Sequence, residues 1–126
     1  MAKDLTVVFE DQPGTLLAAS QALAVAGVNL LGGCGYPSAG EAVSHWAVAD
    51  GDEARAREAF ARAGATVRES RDVLVVDVAH QAGGLGEAIR PLATAGVNIN
   101  LIYLSENGAL VLGVDDVARG RSALGM

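Results

Sequence analysis

The stretch Ala26-Gly27-Val28-Asn29-Leu30 is written again, with one conservative change, as Ala95-Gly96-Val97-Asn98-Ile99. Outward from this pentapeptide, a shift of 69 positions places Leu5 on Leu74, Val7 on Val76, Gln12 on Gln81 and Gly14 on Gly83. It also places Leu16 on Leu85, Ala19 on Ala88 and Leu23 on Leu92. Past Asn29 the correspondence continues with short deletions, Ala54-Arg55-Ala56-Arg57 falling on Ala118-Arg119-Gly120-Arg121. Self-similarity over a fixed period marks a repeated supersecondary unit. The chain of 126 residues therefore reads as two copies of one unit, residues 1–70 and residues 71–126.

Within the first copy, residues 4–9 are β-branched and alternating, which predicts a strand. Asp11-Gln12-Pro13-Gly14 is a turn, because Pro13 presets φ and Gly14 tolerates unusual backbone. Leu16, Ala19, Leu23 and Ala26 repeat at helical spacing, and Gly27 suits the left-handed residue that ends a helix. Residues 28–36 are extended, residues 37–40 turn, and residues 41–50 alternate as a third strand. A charged amphipathic helix over residues 51–64 and a strand over residues 65–70 complete the order β-α-β-β-α-β. The second copy ends within or just after its second helix and lacks the last strand. Either its first strand lies at a sheet edge, or the run over residues 66–79 forms a long strand joining the two sheets. An unprotected edge invites pairing with another chain, so a homodimer is expected.

Composition narrows the partners. The net charge is −6 and the nine Lys and Arg residues are scattered, which argues against a nucleic-acid backbone. One cysteine excludes an internal disulfide and a multi-cysteine metal site. Cys34 is expected to pack as a small apolar residue. His45, His80 and Cys34 are not spaced as metal ligands. No apolar run reaches the roughly 20 residues of a membrane span and no signal pattern precedes the first strand, so a cytoplasmic location is expected. Gly83-Gly84-Leu85-Gly86 lacks the register of a dinucleotide loop. No nucleophile-base-orienter set is visible, so neither catalysis nor a cofactor is expected. Arg55, Arg57 and Arg62 with Asp52, Glu53 and Glu58 predict an exposed helix face of ion pairs. Trp46 is expected in the core or at a dimer contact, and His45 at a surface or interface.

The order β-α-β-β-α-β is the split-βαβ, ferredoxin-like plan, which many functions share. Asp11-Gln12-Pro13-Gly14-Thr15-Leu16, followed by Leu23 and Gly27-Val28-Asn29, resembles something narrower: the ACT domain, whose pattern is a strand, D-x-P-G-x-L, a helix and a G-[IV]-N-[IVL] strand start. The first copy matches at every position. The second keeps Gly83, Leu85, Gly96, Val97 and Asn98 but has His80 for the Asp and Ala82 for the Pro. The resemblance implies an α+β fold of two ferredoxin-like βαββαβ units, antiparallel sheets with helices on one face, the second lacking its last strand.

It also implies a stand-alone regulatory module in which a small effector, typically an amino acid, binds where two units pair. The residues that carry over are Asp11, Gln12, Pro13, Gly14, Thr15, Leu16 and Asn29 in the first copy. In the second they are His80, Gln81, Gly83, Gly84, Leu85 and Asn98. The chemistry agrees, since a loop ahead of a helix N-terminus offers free N–H groups to a carboxylate, and Asp11 offers an acceptor to an ammonium group. Asn29 and Asn98 supply amides that donate and accept. The glycines at 32, 33 and 35 mark a bulge, a close approach of ligand or chain, or space for a helix. Beside this stand plainer readings. Asp11 and Thr15 are natural helix caps, and the asparagines are natural turn residues. A client enzyme is the implied protein partner. The alternative function is a ligand-free assembly subunit for a partner enzyme.

Overall fold

Leu5 and Val7 alternate with Asp4 and Thr6, so one strand presents two faces of different character. That strand is β1 (Ala2–Glu10), and the whole of residues 1–126 is described by the computed structural model. It is followed by α1 (Thr15–Val25), β2 (Gly32–Ser38), β3 (Glu41–Ala49) and, after a single 3₁₀ turn at Asp50–Asp52, α2 (Glu53–Arg62). The chain continues as β4 (Thr66–Val76), α3 (Gly84–Thr94), β5 (Ile99–Leu104), β6 (Leu110–Val114) and α4 (Val117–Ala123). Gly27 and Gly96 both sit at φ 71° beyond α1 and α3, as the repeated pentapeptide predicts. No helix is long and apolar enough to cross a membrane.

The six strands form one antiparallel order, β2-β3-β1-β4-β6-β5. The long-strand alternative is the one the molecule uses. β4 pairs with β1 through Val73 and with β6 from Leu74 onward, so it closes the first unit and opens the second. An isolated bridge from Gly32 to Ser105 ties the two terminal strands of the order together, and the N–H of Glu106 donates to the Leu31 carbonyl at 2.7 Å. A Cβ on Gly32 would lie 2.8 Å from the Ser105 Cα, so this crossing requires glycine.

Three apolar clusters result. Leu5, Val7, Trp46 and Val48 meet Ala19 and Leu23 of α1 and Phe60 of α2. Trp46 is thus a core residue, edge-on to Phe60 with ring centroids 5.1 Å apart. Leu74, Leu110, Leu112 and Val114 meet Leu92 of α3. On the opposite faces, Ala47 and Val73 pack on Tyr103 and Val111, so the two halves of the sheet share a third core.

Irregular pairing assigns side chains to these cores. On β4, Thr6 opposes Glu69 but Val7 opposes Val67, leaving Arg68 as an extra residue. This bulge lets Val67 face the helices of the first unit while Val73 faces the shared core. On β5 the pairing skips Asn100, which separates Ile99, in the second helical core, from Leu101, in the shared one.

Some expectations need correction. The extended segment expected over residues 28–36 becomes strand only at Gly32. Val28 and Leu30 pack in the first core and Leu31 in the shared one, and the Val28 N–H is still held by the Leu23 carbonyl at the end of α1. Cys34 is exposed rather than packed, because it lies on the terminal strand with no further strand beside it. The ion pairs expected on α2 are present: Arg55 with Asp52, Arg57 with Glu53 at 3.1 Å and Arg62 with Glu58 at 4.0 Å.

Candidate effector cleft

The loop from β1 to α1 is organised by its own backbone. The N–H of Gln12 donates to the Glu10 carbonyl, and both the N–H and the hydroxyl of Thr15 donate to the Gln12 carbonyl. Gly14 precedes the helix at φ 91°, a left-handed conformation that favours glycine. Neither Asp11 nor Thr15 caps the helix, contrary to the plainer reading, because Gly14 occupies the N-cap position and Thr15 turns back to Gln12. The first α-helical hydrogen bond runs from Ala18 to Gly14, so the N–H groups of Leu16 and Leu17 have no protein partner. The second unit repeats this, with Gly83 at φ 86° and the N–H of Glu87 on the Gly83 carbonyl. Gly84 is required there, since a Cβ would collide with the Ala79 carbonyl oxygen.

Beside the first loop lies a cleft of about 490 Å³. Asp11, Gln12, Thr15 and Leu16 line one side, β2 and β3 the other, with Phe9, Leu30 and Trp46 between them. The pairing of Gly33 with Trp46 and of Gly35 with Ser44 sets both glycines on the helix-bearing face, so at these two positions the cleft meets bare backbone, with Pro37 next along the same face. The Trp46 indole donates to the Ser44 hydroxyl, which donates to the Val7 carbonyl, each at 2.7 Å. Asp11 is exposed and has neither a hydrogen bond nor an ion pair. An anionic acceptor at the mouth, free amides at the helix start and an apolar interior suit a small molecule with ammonium, carboxylate and apolar parts.

The second cleft, about 400 Å³, is lined by His80, Gln81, Leu85, Ile102, Leu104 and Gly108 among others. The His80 Nε2 donates to the Gly108 carbonyl at 3.0 Å. The structure thus gathers Asp11, Gln12, Thr15 and Leu16 in one cleft, and His80, Gln81 and Leu85 in the other. Pro13 and Gly14 face the turn at residues 63–65 instead. Gly83 and Gly84 shape the second loop without lining its cleft. Asn29 and Asn98 are exposed and line neither cleft. The backbone of Asn98 holds Asp115 from both sides, its N–H donating to Oδ1 and its carbonyl accepting the Asp115 N–H, each at 3.0 Å.

Sequence reasoning missed a polar cluster on the opposite face of the sheet. Asp4 has no exposed surface. Its Oδ2 accepts from His45 Nδ1 at 2.9 Å and its Oδ1 from the Tyr103 hydroxyl at 2.6 Å. Burial, and then the hydrogen bond to Asp4 and its charge, push the Tyr103 phenol well above its usual range. Partial burial, with a smaller contribution from Asp4, also pushes the Cys34 thiol up. Alternation alone places Asp4 opposite Leu5, but its partner Tyr103 is 99 residues distant.

No protein-family model and no curated protein sequence matches the chain. Solved structures do. Protein BT0572 from Bacteroides thetaiotaomicron superposes with a TM-score of 0.80 at 23% identity, over 98% of this chain and 85% of that one. The ligand-free regulatory subunit of aspartate kinase from Thermus thermophilus superposes at 0.74 and 22% identity, over 98% and 87%. The corresponding regulatory subunit from Thermus flavus superposes at 0.64 and 23% identity, over 98% and 87%. What this chain shares with the aspartate kinase regulatory subunits is the tandem ACT-type fold, across nearly its whole length.

Proposed function

We propose that this protein is a regulatory module that binds an amino acid beside the β1–α1 loop and passes the binding event to a client enzyme. The observation that carries this reading is the unpartnered Asp11 carboxylate at the mouth of a glycine-lined, apolar cleft. The fold shared with regulatory subunits of aspartate kinase supports the regulatory part. Residues 33–38 of β2 have an edge that no strand of the chain covers, and Leu16, Leu17 and Tyr36 are exposed nearby. A homodimer that closes the cleft from this side fits that edge. The bound state shifts the client by the difference in its affinity for two arrangements of the units.

The test is thermal unfolding with each of the twenty amino acids at millimolar concentration. A ligand at a hundredfold excess over its Kd stabilises by about 2.7 kcal/mol, enough to raise the melting point by several degrees in a chain this size. The expected result is a rise with one or a few amino acids that disappears in Asp11→Ala. A flat response to all twenty ends this reading.

The assembly-subunit reading has its own support. Leu85, Ile102 and Leu104 of the second unit are 47%, 46% and 60% exposed. Stoichiometric recovery of a partner enzyme that is lost in Leu104→Asp, together with no response to amino acids, favours it.

A further inference from the structure

The two clefts arise from one repeat, so their differences are informative. Shifting by 69 positions places Ile102 on Gly33 and Leu104 on Gly35. Register confirms the equivalence: Gly33 and Gly35 oppose Trp46 and Ser44, while Ile102 and Leu104 oppose Leu112 and Leu110. Side chains in the second unit therefore stand where the first has bare backbone.

The two glycines do not have the same cause. A Cβ on Gly33 would lie 2.7 Å from the His45 carbonyl oxygen, so the backbone itself demands glycine there. A Cβ on Gly35 would meet Val43 O at 3.4 Å and Ser44 Cβ at 3.5 Å, ordinary van der Waals contact, and its φ is not in the left-handed region. The fold admits a side chain at 35, and the cleft is what one would fill. The mouths differ as well. Asp11 is free, whereas His80, its counterpart, is held to the Gly108 carbonyl of the β5–β6 turn. Gly108 takes φ 84°, a left-handed conformation that favours glycine, and the His80 ring packs directly on it.

We infer that the clefts have diverged into one effector site per chain: the first cleft takes an α-amino acid with an uncharged apolar side chain, Gly35 sets its depth, and the second cleft takes none. This rests on the effector reading above. The ammonium group pairs with Asp11, and the side chain lies along Gly35 against Phe9, Leu30 and Trp46. A charged side chain placed against Phe9, Leu30 and Trp46 would have no free counter-ion, since Asp11 is taken by the ammonium group and His45, the other ionisable ring in the lining, is held by Asp4. The second cleft offers no carboxylate for an ammonium group, and Ile102 and Leu104 fill the wall.

Isothermal titration calorimetry with leucine, phenylalanine, glutamate and lysine tests this on the wild type, Gly35→Leu, Gly35→Ala and Leu104→Ala. Gly35→Leu copies the second unit into the first, and Gly35→Ala is the milder change should the leucine disturb folding. The expected result is one site per chain for leucine or phenylalanine and none for glutamate or lysine. Affinity should fall at least tenfold in Gly35→Leu, fall less in Gly35→Ala and stay within twofold in Leu104→Ala. Two sites per chain, preference for a charged amino acid, or undiminished binding in both Gly35 variants overturns the inference and leaves the effector reading standing. Absence of binding to any of the four, with a flat thermal response to all twenty, overturns both.

Discussion

The Asp4 carboxylate accepts one donor from each half of the molecule, His45 from β3 and Tyr103 from β5, with no water-exposed surface of its own. Removing the acceptor strands two donors, at about 1–3 kcal/mol for each left unsatisfied in the interior. Asp4→Ala is therefore expected to lower the urea midpoint sharply, and Tyr103→Phe, which strands only one oxygen of a carboxylate still held by His45, to lower it less. The Tyr103 phenol adds a pH dependence. Its titration in the folded state is raised above the unfolded value of about 10. Below that value both states hold the proton and the contribution is fully present. As pH rises past it the unfolded chain ionises first, and stability is lost toward the folded value. Unfolding free energy measured from pH 8 to 11 is expected to fall less steeply in Tyr103→Phe than in the wild type. An equal slope in the two proteins excludes this role. None of this was readable in the sequence, where Asp4 begins an alternating strand and Tyr103 lies in an apolar one.

At the scale of elements, β4 has two roles. Its first residues complete the pairing of β1, its last begin the pairing of β6, and the bulge at Arg68 assigns Val67 and Val73 to different cores. Leu74 is 1% exposed and belongs to the helical core of the second unit. Leu74→Ala is expected to cost about 2–5 kcal/mol, the range for a truncated buried leucine. The informative readout is Trp46, which lies in the other unit. Its fluorescence transition in urea should move to the same lower midpoint as the far-ultraviolet circular dichroism, because β4 is common to both units. A Trp46 transition left at its wild-type position disproves that coupling. The helices and most strands were legible from period and turn chemistry: α1 begins at Thr15 and β3 at Glu41, as the pattern predicts. Residues 28–31 are extended in the pattern yet precede the strand, because the Val28 N–H bonds back to the Leu23 carbonyl of α1 and the ladder with β3 begins only at Gly32.

For the whole molecule, the repeat creates two similar clefts and the tertiary arrangement joins their units through the shared core of Ala47, Val73, Tyr103 and Val111. A second unit so supported is not expected to fold alone. Residues 71–126, expressed separately, should show the narrow amide proton dispersion of an unfolded chain, because they expose Val111 and Tyr103 and have no β1 beside β4. Wide dispersion from that fragment refutes this dependence. The sequence by itself determined the two-unit architecture, the helix ends at Gly27 and Gly96, and the loop that carries Asp11, because these depend on periodicity, glycine backbone freedom and local turn geometry. Only the tertiary structure decided that β4 serves both units, that Asp4 is clamped between them, that Asn29 and Asn98 lie outside both clefts, and that Gly35 opens one cleft where Leu104 narrows the other. Those features depend on which residues distant in the chain come to share a face, and local patterns of a single sequence carry no record of that pairing.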